Sequence, residues 1–168
     1  MSLIEIAGYK ITETVHQGTQ TVLYRAIGLD GTSRILKSLT LNQPTSESLA
    51  RLRHEYELTR DLQINSIVKT VGFETVGHRA VMVMEDFGGR SLQQVLCEGA
   101  IDLVLCLNIM VQVSQAIVQL HSRNIIHKDI KPANIIINLE SNQIKLTDFS
   151  IASQTGTETT QFISHPNQ

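Results

Sequence analysis

The chain changes its hydrophobic period once, and that change limits its fold more than any other feature. Up to Glu85 apolar and polar residues alternate in short runs broken by glycine. Beyond Phe87-Gly88-Gly89 the repeat lengthens to three and four residues. A period of two marks a half-buried strand, and one near 3.6 an amphipathic helix. Tyr9–Val15, Thr21–Ile27, Thr32–Leu39, Ile67–Phe73 and Ala80–Glu85 are predicted strands, with Asp30-Gly31 as a hairpin turn. One helix interrupts them, Leu49 to Leu62, with Leu49, Leu52, Tyr56 and Thr59 on one stripe and Ser46 or Ser48 as its cap. Leu103 to Leu120 is the clearest amphipathic helix, with Leu103, Leu107, Met110, Val111, Ser114, Ile117 and Leu120 in register. A polar loop, Ile125 to Asn134, and the short strands Ile135–Ile137 and Gln143–Leu146 follow. Five antiparallel strands with one inserted helix, then a helical part with a small hairpin, predict an α+β fold in two lobes. The first lobe is expected over 1–84, the hinge at 85–89, the second lobe over 90–152, and a disordered Thr-rich tail over 153–168.

Composition narrows the partners. A net charge of -2 with scattered Lys and Arg gives no reason to expect nucleic acid or an anionic membrane. Cys97 and Cys106 make neither a disulfide framework nor a metal-ligand spacing, and are expected to be reduced, partly buried thiols. Met1 to Gly8 lacks the features of a signal peptide, and the apolar stretches are expected to fall short of the ~20 residues that span a bilayer. The expected location is cytoplasmic.

The most informative segment is His127-Lys128-Asp129-Ile130-Lys131-Pro132-Ala133-Asn134. It resembles the protein kinase catalytic loop, His-Arg-Asp followed after an interval by Asn; alone, a loop of this composition could simply turn the chain. Lys145-Leu146-Thr147-Asp148-Phe149-Ser150 resembles the Asp-Phe-Gly motif, fourteen positions after Asn134. Lys37 in Ile35-Leu36-Lys37 resembles the lysine of the third strand, and Glu55, eighteen residues on, its helix partner. Val15 to Ala26 falls where kinases carry a glycine-rich phosphate cover, here with Gly18 alone, since His16 and Thr21 stand at the flanking glycine positions. Val83-Met84-Glu85-Asp86-Phe87-Gly88-Gly89 resembles the strand and linker that hold adenine.

The resemblance to a eukaryotic-type protein Ser/Thr kinase implies a role for each residue. Phosphoryl transfer asks for positioning and charge neutralisation more than covalent chemistry. Asp129 would accept the proton of the substrate hydroxyl. Lys131 would lie beside the γ-phosphate. Asn134 and Asp148 would hold Mg²⁺. Lys37, oriented by Glu55, would touch the α- and β-phosphates of ATP. Gly18 and Val22 would cover the nucleotide, Met84 would guard the back of the pocket, and backbone groups of Glu85 and Phe87 would hydrogen-bond the purine. Ser150 in place of Gly limits the motif's backbone freedom. Lys128 in place of Arg lacks the planar fork that grips a phosphorylated activation loop.

The phrasing Arg53-His54-Glu55-Tyr56-Glu57-Leu58 with Glu85-Asp86-Phe87-Gly88-Gly89 looks most like the N-terminal kinase module of bacterial multi-domain sensor hybrid kinases. The chain ends at Gln168, before the Ala-Pro-Glu motif. Other domains or a second chain are therefore expected to supply the rest of the second lobe. Three readings stay open: a kinase acting on a protein substrate in signalling, a pseudokinase that binds nucleotide or a partner, and a small-molecule phosphotransferase. All three share one fold.

Overall fold

The computed structural model describes residues 5–40, 44–76 and 79–155. The upper lobe holds strands β1 (Glu5–Ile6), β2 (Tyr9–Gln17), β3 (Thr21–Ile27) and β4 (Ser33–Leu39), helix α1 (Ser46–Thr59), and strands β5 (Thr70–Val76) and β6 (Arg79–Glu85). They form an antiparallel sheet in the order β1-β2-β3-β4-β6-β5, the five expected strands plus a two-residue edge. Asp30-Gly31 turns the chain as expected: Gly31 sits at φ 76, and Asp30 Oδ1 accepts from the Thr32 N–H at 2.9 Å. Alternation then sorts the side chains by face. Ala26, Leu36, Val81 and Val83 pack outward with Ile6, while Ala80, Met82 and Met84 pack under α1 with Leu52 and Val68.

Helix α1 starts earlier than the apolar stripe suggests. Its cap is Thr45, neither Ser46 nor Ser48: the extended Thr45 accepts from the Ser48 N–H at 3.1 Å. It also ends sooner, at Thr59, and buries Glu55 beside Leu52 and Thr59. Residues 66–68 run outside the sheet because their backbone is engaged below, whereas Lys69 C=O still takes Glu85 N–H at the end of β6. Val68 N–H donates to Leu146 C=O at 2.9 Å, and Leu146 N–H to Ser66 C=O at 2.8 Å.

The lower lobe holds β7 (Arg90–Ser91), α2 (Leu92–Glu98), α3 (Leu103–His121), β8 (Ile125–Ile126), β9 (Ile135–Asn138), β10 (Gln143–Leu146) and β11 (Ser153–Gln154). Strands β10, β9 and β7 form one small sheet, and β11 pairs with β8. Ser91 and Gln94 close a reciprocal capping box on α2, and Asp102 caps α3 by accepting from Leu105 N–H at 2.7 Å. The tail expectation fails for 153–155, since β11 is paired and Thr155 N–H reaches Asn124 C=O at 2.8 Å. Positions 156–168, the rest of that tail, lie outside the described residues. Cys97 is exposed rather than partly buried.

Two expectations about α3 also change. Its buried line is Ile109, Ala116 and Leu120, which join Leu92, Val95, Ile125 and Ile137 in the lower core. Leu103, Leu107, Met110 and Val111 of the expected stripe face outward, along with Val104 and Val118, each between 52% and 78% exposed. With 19 residues and no Asp, Glu, Lys or Arg, α3 is also long and apolar enough to cross a membrane by length and composition. In this fold its buried side chains belong to the lower core, and Gln112 reaches Ile144 N–H and Asn142 C=O in the hairpin beside it.

Candidate active site

Lys37 points from β4 toward α1 because Leu36 and Ser38 take the alternate face. Its Nζ lies 2.6 Å from Glu55 Oε2 and 2.9 Å from Asp148 Oδ1. Burial opposes a charge on Lys37, yet the two carboxylates outweigh it and hold the ammonium above its usual pKa. Burial is the largest influence on Glu55 and pushes its carboxyl up, against the pull of Lys37. Glu55 Oε1 accepts from Phe149 N–H at 3.3 Å, so one carboxylate ties strand, helix and the Asp148-Phe149 turn together. Asp148 is partly buried, which alone would raise it, but Lys37 and the hydroxyl and N–H of Ser150 hold it below the usual range. Asp148 sits at φ 64, the left-handed region, while Ser150 does not. The strained position of this motif is therefore its first residue, not the one where Ser replaces Gly.

A second cluster lies in the loop before β9. Asp129 Oδ2 accepts from Lys131 Nζ at 2.7 Å and from Asn134 Nδ2 at 2.9 Å, and Asn134 Nδ2 also reaches Asp129 C=O at 2.9 Å. That single short turn, Pro132–Asn134, brings together the three loop residues expected to act. Asn134 is buried, and its amide nitrogen is engaged by Asp129, so its carbonyl oxygen is the end left to ligate. Thr147 N–H donates to the backbone C=O of Asn134 at 3.0 Å, which fixes this loop against the residue before Asp148. His127 completes the joint: one ring nitrogen takes Asp129 N–H at 3.3 Å, and the other donates to Thr147 C=O at 3.1 Å.

Asp148 and Asn134 together offer one carboxylate and one amide oxygen. That hard, sparse donor set suits Mg²⁺, which is ordinarily held by one or two carboxylates with substrate phosphates. Among the described residues no larger His, Cys, Asp or Glu cluster competes for a metal.

On the face of the sheet that carries Lys37 lies an apolar cluster. Leu23, Ile35, Met84, Phe87 and Ile136 pack in one cluster. Leu23 is paired directly opposite Lys37 and so shares its face. Val22, the expected cover residue, is its neighbour on the strand and points to the other side. Counting in twos from Lys37 across the hairpin finds Leu23 and Ile35, a signal present in the sequence. Ile136 has no such signal, since only the fold brings β9 beneath β4. In the linker, Phe87 C=O accepts from Asn138 Nδ2 at 2.7 Å. Glu85 N–H donates to Lys69 C=O at 2.9 Å. The Glu85 carboxylate takes Lys145 Nζ at 2.5 Å and Lys69 N–H at 2.7 Å. Gly89 is pressed so close that a Cβ there would meet Ile136 at 2.7 Å.

Two cavities are lined by residues of these elements. One of about 130 Å³ contains Lys37, Glu55, Asp148, Ser150 and Arg51. The other, about 560 Å³, opens at the linker beside Val15, Gly88, Gly89 and Asn138 and contains none of the acting charges. Gly18 sits at the β2–β3 turn, where its N–H donates to Thr21 C=O at 2.9 Å.

The protein kinase domain profile matches residues 9–167. A probable serine/threonine-protein kinase of Dictyostelium discoideum is 31% identical over 159 residues, 94% of this chain and 32% of the relative. The serine/threonine-protein kinase KIC1 of Saccharomyces cerevisiae is 32% identical over 148 residues, 87% of this chain and 14% of the relative. A probable serine/threonine-protein kinase of Clostridium perfringens is 28% identical over 164 residues, 95% of this chain and 23% of the relative. The chain thus spans a third or less of the length of these relatives. With a profile matched along nearly its whole length and two paired charge clusters at the matching motifs, this chain belongs to the protein kinase domain family.

Proposed function

We propose that the chain carries the ATP-binding and catalytic groups of a protein Ser/Thr kinase, transferring the γ-phosphoryl of ATP to a protein hydroxyl. The observation that carries this is the Asp129 carboxylate, held on one oxygen by Lys131 and Asn134 with the other oxygen left to accept a proton. Asp129 then takes the proton of the attacking hydroxyl, while Lys131 stands beside it with a charge to offset that of the phosphoryl group. Lys37 reaches the α- and β-phosphates and is kept in place by Glu55. Leu23, Ile35 and Ile136 enclose the purine, with Met84 behind and the Phe87 N–H at its edge. When bound between Asp148 and Asn134, Mg²⁺ would neutralise phosphate charge. Lys131 supports a Ser/Thr substrate, and the tie of the closest phrasing to bacterial sensor hybrid kinases supports a signalling role.

The test is transfer of labelled phosphate to a protein substrate. Asp129→Ala should lower turnover by about 10²–10⁴-fold, the usual contribution of a positioned base. Asp148→Asn should remove the Mg²⁺ dependence of ATP binding measured by calorimetry. Unchanged turnover in the first variant, or a product phosphorylated on Tyr, would count against this reading.

One observation favours a second reading, a module that binds nucleotide or a partner without transfer. The Gly18 N–H is engaged by Thr21 within its own turn rather than presented to a phosphate. ATP binding with no transfer under any metal condition would select that reading.

A further inference from the structure

Thr59 closes α1 and Thr70 opens β5, and both are buried, 4% and 5% exposed. Their hydroxyl oxygens lie 2.7 Å apart, and Thr59 Oγ1 lies 2.7 Å from the carbonyl oxygen of Glu55. A hydroxyl has one proton to give, and a carbonyl can only accept. The Thr59 proton therefore goes to Glu55, and Thr70 must donate to Thr59. This fixes a one-way relay from β5 through Thr59 to the backbone of Glu55. The same residue's carboxylate takes Lys37 Nζ and the N–H of Phe149.

Two hydroxyls at this depth are a poor choice for packing alone. Valine has nearly the same shape without a polar atom to satisfy, and a buried hydroxyl costs free energy unless it is hydrogen-bonded. The last turn of a helix is also where the backbone frays most readily. Here the relay holds that turn: back-bonding from Thr59 to the carbonyl four residues earlier is joined to the neighbouring strand.

We propose that Thr59 and Thr70 are positioning residues that fix the end of α1 against β5, and so aim the Glu55 carboxylate at both Lys37 and the Asp148-Phe149 turn. The effect on nucleotide binding rests on the phosphoryl-transfer reading above, whereas the tie to Phe149 does not.

The test compares Thr59→Val, Thr70→Val, the double variant, and the conservative Thr59→Ser and Thr70→Ser in the full chain. Three quantities are measured: the thermal midpoint, exchange of the Phe149 amide without nucleotide, and affinity for Mg·ATP. Thr59→Val should lower the midpoint most, because it leaves the Thr70 hydroxyl without an acceptor, whereas in Thr70→Val the Thr59 hydroxyl keeps its bond to Glu55. The double variant should recover most of the Thr59→Val loss, since no buried hydroxyl is left unmatched. Phe149 exchange should nevertheless stay raised by up to about tenfold in the double variant, the scale of one ordinary hydrogen bond, with Mg·ATP affinity down by a similar factor. Both serine variants should keep wild-type values. Wild-type exchange at Phe149 in the double variant would overturn the proposal. So would exchange that rises equally at Leu36 and Val83 in the sheet, which would mark a loss of stability alone. A wild-type chain that fails to bind Mg·ATP would sink the phosphoryl-transfer reading, and exchange at Phe149 would still decide the tie.

Discussion

The ring of His127 is held as a single neutral tautomer. Because Asp129 N–H donates to Nδ1, the proton sits on Nε2, where it meets Thr147 C=O. Burial against Phe149, with ring centroids 4.4 Å apart, is the largest influence and lowers the pKa below 6.5. The sign follows. Between the lowered pKa of the folded chain and about pH 6.5 an unfolded chain protonates this histidine and the folded one does not, so the ring's contribution is whole above that window and lost as pH falls through it. His127→Gln should therefore be less stable than wild type at pH 7.5 and lose less on going to pH 5. Melts of the two proteins that fall in parallel would refute this. Lys37 makes a separate case. Breaking a buried pair by removing one partner costs about 3–5 kcal/mol. Lys37→Met, which leaves Glu55 and Asp148 facing each other, should lower the unfolding free energy from denaturant titration by that amount, and a loss below about 1 kcal/mol would mean the pair is solvated. The charged groups of this site were legible because residue type and spacing identify them together. Leu23 and Ile35 were legible only as strand positions on the Lys37 face, and Ile136 was not legible at all, because one aliphatic side chain looks like another until the fold is known.

At the scale of elements, the long strands and α3 could be read from their periods, and the Asp30-Gly31 turn from its chemistry. The errors cluster where tertiary contacts override local pattern. Helix α1 was placed three residues late because Leu49 begins the apolar stripe, whereas the backbone begins at the Thr45 cap. Strand β5 was begun early because Ile67 and Val68 are β-branched, yet their backbone bonds to β10. The pairs β8 and β11 have two residues each and no period to detect. The cap gives a direct check. Thr45→Ala should destabilise the fold by about 1 kcal/mol, while Ser46→Ala should be close to neutral. Equal losses in the two variants would return the cap to Ser46.

For the whole molecule, the two-lobe layout was readable because the change of period at Phe87-Gly88-Gly89 is also the change of lobe. What the sequence hid was which side of α3 is covered, since nearly every position on that helix is apolar or small. Its outward face carries Leu103, Val104, Leu107, Met110, Val111 and Val118. A contiguous patch of such side chains marks an interaction surface or an aggregation liability. The 168-residue chain should therefore bind a hydrophobic dye and sediment above monomer mass, and Leu107→Glu with Val111→Glu should return it toward monomer. A monomer with a sharp melt and no dye binding would show that this face tolerates water.

Strand β10 is stitched on both flanks. It pairs with β9 through four registered residues, bonds by backbone to Ser66 and Val68, and sends Lys145 to Glu85. The strand that ends just before Asp148 is thus shared by the two lobes rather than owned by the lower one. Mechanically it behaves as a rivet. Any rocking of the lobes about it would leave Asp148 and Lys37 near the pivot and carry the β2–β3 turn around Gly18 through the widest arc. Compliance in such an arrangement gathers at the mouth of the cleft and leaves the charge-bearing floor stiff, so a spin label at Thr19 should report much broader distances to Ser141 than one at Ser38.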